Sequence, residues 1–75
     1  MAPNRKLTAI IGREGNGYVA LCAELDVVSQ GNSIEGAEEN LKGALELFFE
    51  SADPAEIKTR LRDDVLVTPI EVRIP

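Results

Sequence analysis

Apolar and polar positions alternate through the first third of the chain and recur at helical spacing through the middle. Leu7-Thr8-Ala9-Ile10-Ile11 is short, rich in β-branched residues and closed by Gly12, which predicts a strand. Gly12-Arg13-Glu14-Gly15-Asn16-Gly17 supplies three glycines and an Asn, the residues that hairpin loops need for positive φ. A second strand follows over Tyr18–Leu25. It places Tyr18, Ala20, Cys22 and Glu24 on one side and Val19, Leu21, Ala23 and Leu25 on the other. Both sides are largely apolar, so each calls for cover. Glu24-Leu25-Asp26 predicts a tight corner into a third strand, Val27-Val28-Ser29-Gln30, stopped at Gly31. These elements form a three-stranded antiparallel meander.

Either Asn32 or Ser33 can cap the helix that begins there, because each side chain accepts a bond from a free backbone N–H. Ile34, Ala37, Leu41, Ala44, Leu45, Phe48 and Ala52 fall on one stripe about 100° wide, and Phe49 widens it. Glu35, Glu39, Lys42, Glu46 and Glu50 share another side, with Gly36, Asn40, Gly43 and Leu47 on a line between the two. A glycine inside a helix costs roughly 1 kcal/mol against Ala. Two on one line beside Leu47 predict that another backbone approaches there, and Gly36, Gly43 and Leu47 are candidate oligomer contacts; tolerated drift is the competing explanation. Asp53-Pro54-Ala55-Glu56 reads as a capped restart, opening a short helix to about Arg62. Val65–Ile74 predicts a final strand, bent or at an edge because Pro69 has no N–H to donate. Ile70 and Val72 on that strand are the second candidate oligomer contact. The order β-β-β-α-α-β describes one α+β domain over residues 1–75, with a main helix and a short second helix packing the sheet.

At 75 residues the chain buries only about 60% of the surface that its unfolded form exposes. Its single cysteine, Cys22, offers no disulfide, so a partner or a second copy is the expected source of extra stability. An unpaired thiol also fits a reducing, cytoplasmic setting. Hydrophobic residues make up 44% and charged residues 28%, which argues against disorder. No apolar run approaches the roughly 18 residues of a membrane span. Residues 1–6 lead into a strand pattern without a secretory h-region.

The net charge of −5 is unevenly spread. Residues 32–56 hold seven acids (Glu35, Glu38, Glu39, Glu46, Glu50, Asp53 and Glu56) against one base, Lys42, while the flanks nearly balance. Phosphate neutralisation needs clustered basic residues, so direct nucleic-acid binding is disfavoured. An acidic block suits a basic protein partner; its plain alternative is a solvated helix face.

Candidate chemistry is sparse. The chain has no His, which removes the commonest general base and metal ligand. Cys22 lies mid-strand among apolar neighbours and reads as a structural thiol. Glu24 and Asp26 are two residues apart, but a pair of carboxylates is a meagre metal site, and the first strand adds no acid. The Gly12–Gly17 loop opens a strand and lacks the lysine of a phosphate-binding loop. No catalytic residue, metal or cofactor is expected, and the chain is not read as an enzyme.

Gly17-Tyr18-Val19-Ala20, Cys22 through Ser33, Glu35-Gly36-Ala37-Glu38-Glu39-Asn40-Leu41 and Ala44-Leu45-Glu46-Leu47 together resemble the HicB-like antitoxin family over nearly half the chain. The resemblance implies a partial ribonuclease-H-like fold without the nuclease's catalytic acids, and homo-dimers or larger homo-oligomers. It also implies inhibition of a small basic HicA-like ribonuclease by masking of its active site. Ala23 stands where the family often has Pro, which softens the expected turn. The family's C-terminal DNA-binding domain finds no room before Pro75, so operator binding is not carried over. Tyr18, Glu24, Asp26 and Gln30 are the candidate partner contacts on the sheet, and Glu35, Glu39 and Glu46 those on the helix. The alternative is a stand-alone homo-oligomeric module of this family without a toxin partner.

Overall fold

A computed structural model describes residues 4–75; Met1–Pro3, the start of the stretch read above for a secretory signal, lie outside the described residues. The elements are β1 (Ala9–Glu14), β2 (Gly17–Cys22), β3 (Val27–Gly31), α1 (Ile34–Ser51) and α2 (Pro54–Arg60). The strands form one antiparallel sheet in the order β1-β2-β3, giving an α+β fold. Here β1 runs two residues later than the pattern predicts, and the loop shrinks to Gly15–Asn16. Gly12 belongs to the strand, opposite Val19, and only Gly15 needs positive φ, at 59°. A two-residue hairpin loop asks for glycine at such a position because its backbone must follow the sheet's twist.

The register assigns the faces. Ile11, Ala20 and Ser29 lie in one row, and Ala9, Cys22 and Val27 in the next, all toward α1. Ile10, Leu21 and Val28 form a row on the opposite face. Among the described residues nothing covers that face fully: Ile10 is 45% and Val28 58% exposed. The core is small, consisting of Ala20, Cys22, Leu25, Ala37 and Leu41, with Leu7, Ile11, Val27, Leu45, Phe48, Phe49 and Leu61 half-buried around it.

α1 begins where Ser33 Oγ accepts the Gly36 N–H at 2.9 Å, so Ser33 rather than Asn32 is the cap. Its predicted stripe does face the sheet, except for Ile34, which is 46% exposed at the helix entry. Asp53 caps α2 through the Glu56 N–H with Pro54 in the first turn, and α2 stops at Arg60. The glycine that admits the backbone of α1 is Gly31. A β-carbon there would press on Ala37 N and come within 2.7 Å of Gly36 C and 2.9 Å of Ala37 Cα. Among the described residues nothing approaches Gly43, and Gly36 meets only the Ser33 cap.

The predicted C-terminal strand is not formed. Residues 64–75 pair with no ladder, and most of their side chains are exposed. A strand needs a partner edge as well as an alternating pattern, and among the described residues the tail has none.

Candidate functional site

The sheet splits the predicted contacts between its two ends. Tyr18 is the second residue of β2 and pairs with Gly31, while Gln30 pairs with Val19 at that same end. Glu24 and Asp26 lie beyond the other end of β2, within the turn that joins it to β3. Tyr18 to Cys22 is four residues of strand, about 13 Å, and Glu24 lies beyond it in the turn. The two ends cannot form one compact contact.

At the Tyr18 end an open cleft of about 600 Å³ lies between the hairpin and the start of α1. Glu14, Tyr18, Gln30, Asn32, Ser33 and Asn40 contribute its polar groups. Arg13 holds the Tyr18 ring from outside: its guanidinium donates to the phenol oxygen at 3.2 Å and sits 5.6 Å from the ring centroid. Asn40 Nδ2 donates to the Gln30 carbonyl at 2.8 Å, which ties α1 to the outer edge of β3. Asn40 was not among the predicted site residues. Its position on the Gly36–Gly43–Leu47 line was its one visible signal.

At the other end the acids have internal partners. Glu24 Oε1 accepts the Thr8 N–H at 2.8 Å, Oε2 accepts the Thr8 hydroxyl at 2.7 Å, and the Cys22 thiol approaches at 3.5 Å. Burial pushes the Glu24 carboxyl up, but the Thr8 backbone and hydroxyl bonds outweigh it and hold the group below the usual carboxylate range. Burial pushes the Cys22 thiol up, so it stays protonated. Asp26 adopts a left-handed φ of 55° and pairs with Arg62. The turn therefore aims the two carboxylates at different elements, Glu24 toward the entry to β1 and Asp26 toward the chain after α2. Among the described residues no group of three or more His, Cys, Asp or Glu converges.

The helix acids are different. Glu35, Glu38, Glu39, Glu46 and Glu50 are all exposed, and among the described residues no ion pair engages any of them. Five carboxylates against Lys42 leave α1 with a net charge of −4. Glu35, Glu39 and Glu46 share one face about 40° wide by helical geometry. The remaining predicted contacts point to solvent: Leu47 is 63%, Ile70 82% and Val72 65% exposed. No helix of the described residues is long and apolar enough to cross a membrane.

No family model and no solved structure matches the chain. Over 67 aligned residues it is 34% identical to a UPF0150 protein of Helicobacter pylori strain J99, covering 88% of this chain and 93% of that protein. The alignment thus runs through the sheet and both helices, and the relative is of nearly the same extent. On that similarity the chain belongs to the UPF0150 family.

Proposed function

We propose that this chain is a HicB-like antitoxin of the cytoplasm, acting as a single non-catalytic domain. It binds a small basic HicA-like ribonuclease and masks that enzyme's active site. The observation that carries this reading is the outer face of α1, where Glu35, Glu39 and Glu46 stand exposed and, among the described residues, without internal partners. Carboxylates already held in ion pairs or hydrogen bonds, such as Asp26 and Glu24, would have to exchange one partner for another. Those on α1 have only water to give up, so they suit a basic surface. The Tyr18–Gln30 cleft flanks the start of this face and supplies an aromatic anchor.

Co-expression with a small basic protein encoded beside it tests the reading. A complex should co-purify, RNA cleavage should be silenced, and binding should weaken as ionic strength rises from about 0.1 to 1 M, where the screening length falls from about 10 to 3 Å. Glu35→Lys/Glu39→Lys/Glu46→Lys should weaken inhibition at least about tenfold. Inhibition unchanged in that variant and insensitive to salt would refute the α1 surface. Absence of any complex would refute the antitoxin reading. A stand-alone homo-oligomeric module is the second reading, favoured by the exposed apolar side chains of residues 65–74.

A further inference from the structure

The chain is anchored as far as Asp63. Arg62 N–H donates to the Glu24 carbonyl at 3.0 Å, Arg62 pairs with Asp26, and Asp63 pairs with Arg5. Beyond that point Leu66, Val67, Ile70, Val72 and Ile74 are 61–84% exposed. A compact chain of 8.1 kDa exposes about 4,500 Å². This one exposes 6327 Å², an excess of about 1,800 Å². Its radius of gyration is 14.4 Å, against about 11 Å for a compact domain of this length. Soluble monomers rarely leave so much apolar surface in one place.

The tail has the pattern of a strand with one apolar side. Leu66, Thr68, Ile70, Val72 and Ile74 share one parity, and Val67, Pro69, Glu71 and Arg73 the other. A matching seat lies on the sheet. β3's outer edge is already occupied at Gln30 by Asn40, and α1 crowds it at Gly31. β1's outer edge is free: among the described residues no backbone hydrogen bond closes it. α1 lies mainly over β3 and β2, leaving Leu7 and Ile11 half-buried on the flank beside that edge.

We propose that Val65–Ile74 of each chain adds as a strand to the outer edge of β1 in a second copy. The exchange is reciprocal and makes a two-fold dimer. Leu66, Ile70 and Val72 lie on the helix side over the partner copy's flank, while Glu71 and Arg73 face outward. Pro69 is tolerated because the added strand is the new edge. Removing the excess from both copies would bury at most about 3,600 Å², and even the larger part of it falls within the range of obligate homodimers, about 2,000–5,000 Å².

Light scattering after size exclusion, on the unmodified chain at about 1–100 μM, should give twice 8.1 kDa. Ile70→Asp/Val72→Asp should raise the dissociation constant about 100-fold or more while circular dichroism retains both helices. Should that variant fail to fold, a mixture of ¹³C-labelled and unlabelled unmodified chains decides the matter. Filtered NOEs from Leu7 and Ile11 to Ile70, Val72 and Ile74 should run between copies. A monomer at every concentration would overturn the proposal. So would a folded variant with undiminished dimerisation, tail contacts confined to one chain, or a dimer without tail-to-β1 contacts. The chain is measured alone, so the result is independent of toxin inhibition.

Discussion

Gly31→Ala tests how closely α1 sits on the sheet. The new methyl would meet backbone on every near side: Ala37 N, Gly36 C at 2.7 Å and Ala37 Cα at 2.9 Å. No side chain can rotate away, so the helix start must lift from β3. Overpacking of this kind costs about 1–3 kcal/mol, and rigid neighbours favour the upper end. Against that, Ala restricts the unfolded chain and returns about 0.4–1 kcal/mol. The net loss is about 2 kcal/mol, from a total of about 4–11 kcal/mol for 75 residues. With a urea slope of about 1 kcal/mol/M, the midpoint should fall by about 2 M. The melting temperature should fall by about 8–16 °C. Gly43→Ala is the matched control: it is helical and exposed, with nothing within 4 Å of an added β-carbon, and should gain about 0.5–1 kcal/mol. Both variants are compared with the parent at one chain concentration, because dimerisation would shift all three. A Gly31→Ala midpoint within about 0.5 M of the parent would refute the close approach. A loss at Gly43 would place another backbone against that helix line.

Glu24→Ala leaves both Thr8 donors without their acceptor and should cost about 1–3 kcal/mol at neutral pH. Because the folded Glu24 carboxyl lies below its unfolded value, its contribution is complete above about pH 4.3 and lost as pH falls through the folded value. Urea midpoints between pH 3 and 7 should therefore fall less steeply in the variant; an identical acid slope would contradict the assignment. Cys22 is buried with its pKa raised, so iodoacetamide at pH 8 should alkylate the native chain at least about 100-fold more slowly than the urea-unfolded chain. Comparable rates would mean that β2 is open to solvent.

The elements most legible in the sequence are those fixed by local chemistry. Ser33 and Asp53 each offer an oxygen to an N–H three residues on, so both helix starts can be read from adjacent residues. The stripe from Ala37 to Phe48 meets the sheet because 3.6-residue spacing alone decides which side is apolar. What required the fold is what depends on distant residues. Gly31 reads locally as the end of a strand, and only the return of α1 across β3 makes a side chain there untenable. Glu24 and Asp26 look like a pair by spacing, yet the left-handed φ of Asp26 turns the chain between them. The tail's alternation is a sound sign of extended backbone, but alternation does not say whose edge it will meet. At the candidate site the acidic α1 face could be read from periodicity alone. The separation of Tyr18 and Gln30 from Glu24 and Asp26 could not, because it follows from strand length and turn position together.

The tight seat at Gly31 and the loose tail are connected. Ala20, Cys22 and Ala37 are small, so with Gly31 they bring α1 close to β2 and β3. Small side chains contribute little apolar area each, and Cys22 is the largest that is fully buried. Larger residues, Leu45, Phe48 and Phe49, are only half-covered, and the largest apolar exposures lie on the tail. A helix about 10 Å wide seated over β3 reaches about 5 Å to each side, so it covers β2 at about 4.8 Å but not β1 at about 9.6 Å. The close packing that fixes α1 therefore creates the flank at β1 that another strand could fill. Gly31→Ala, by loosening α1, should then also weaken self-association, although Gly31 lies on the far strand from the proposed seat. A Gly31→Ala chain that remains folded at low temperature and dimerises as tightly as the parent would separate the two features and leave the tail's pairing independent of where the helix sits.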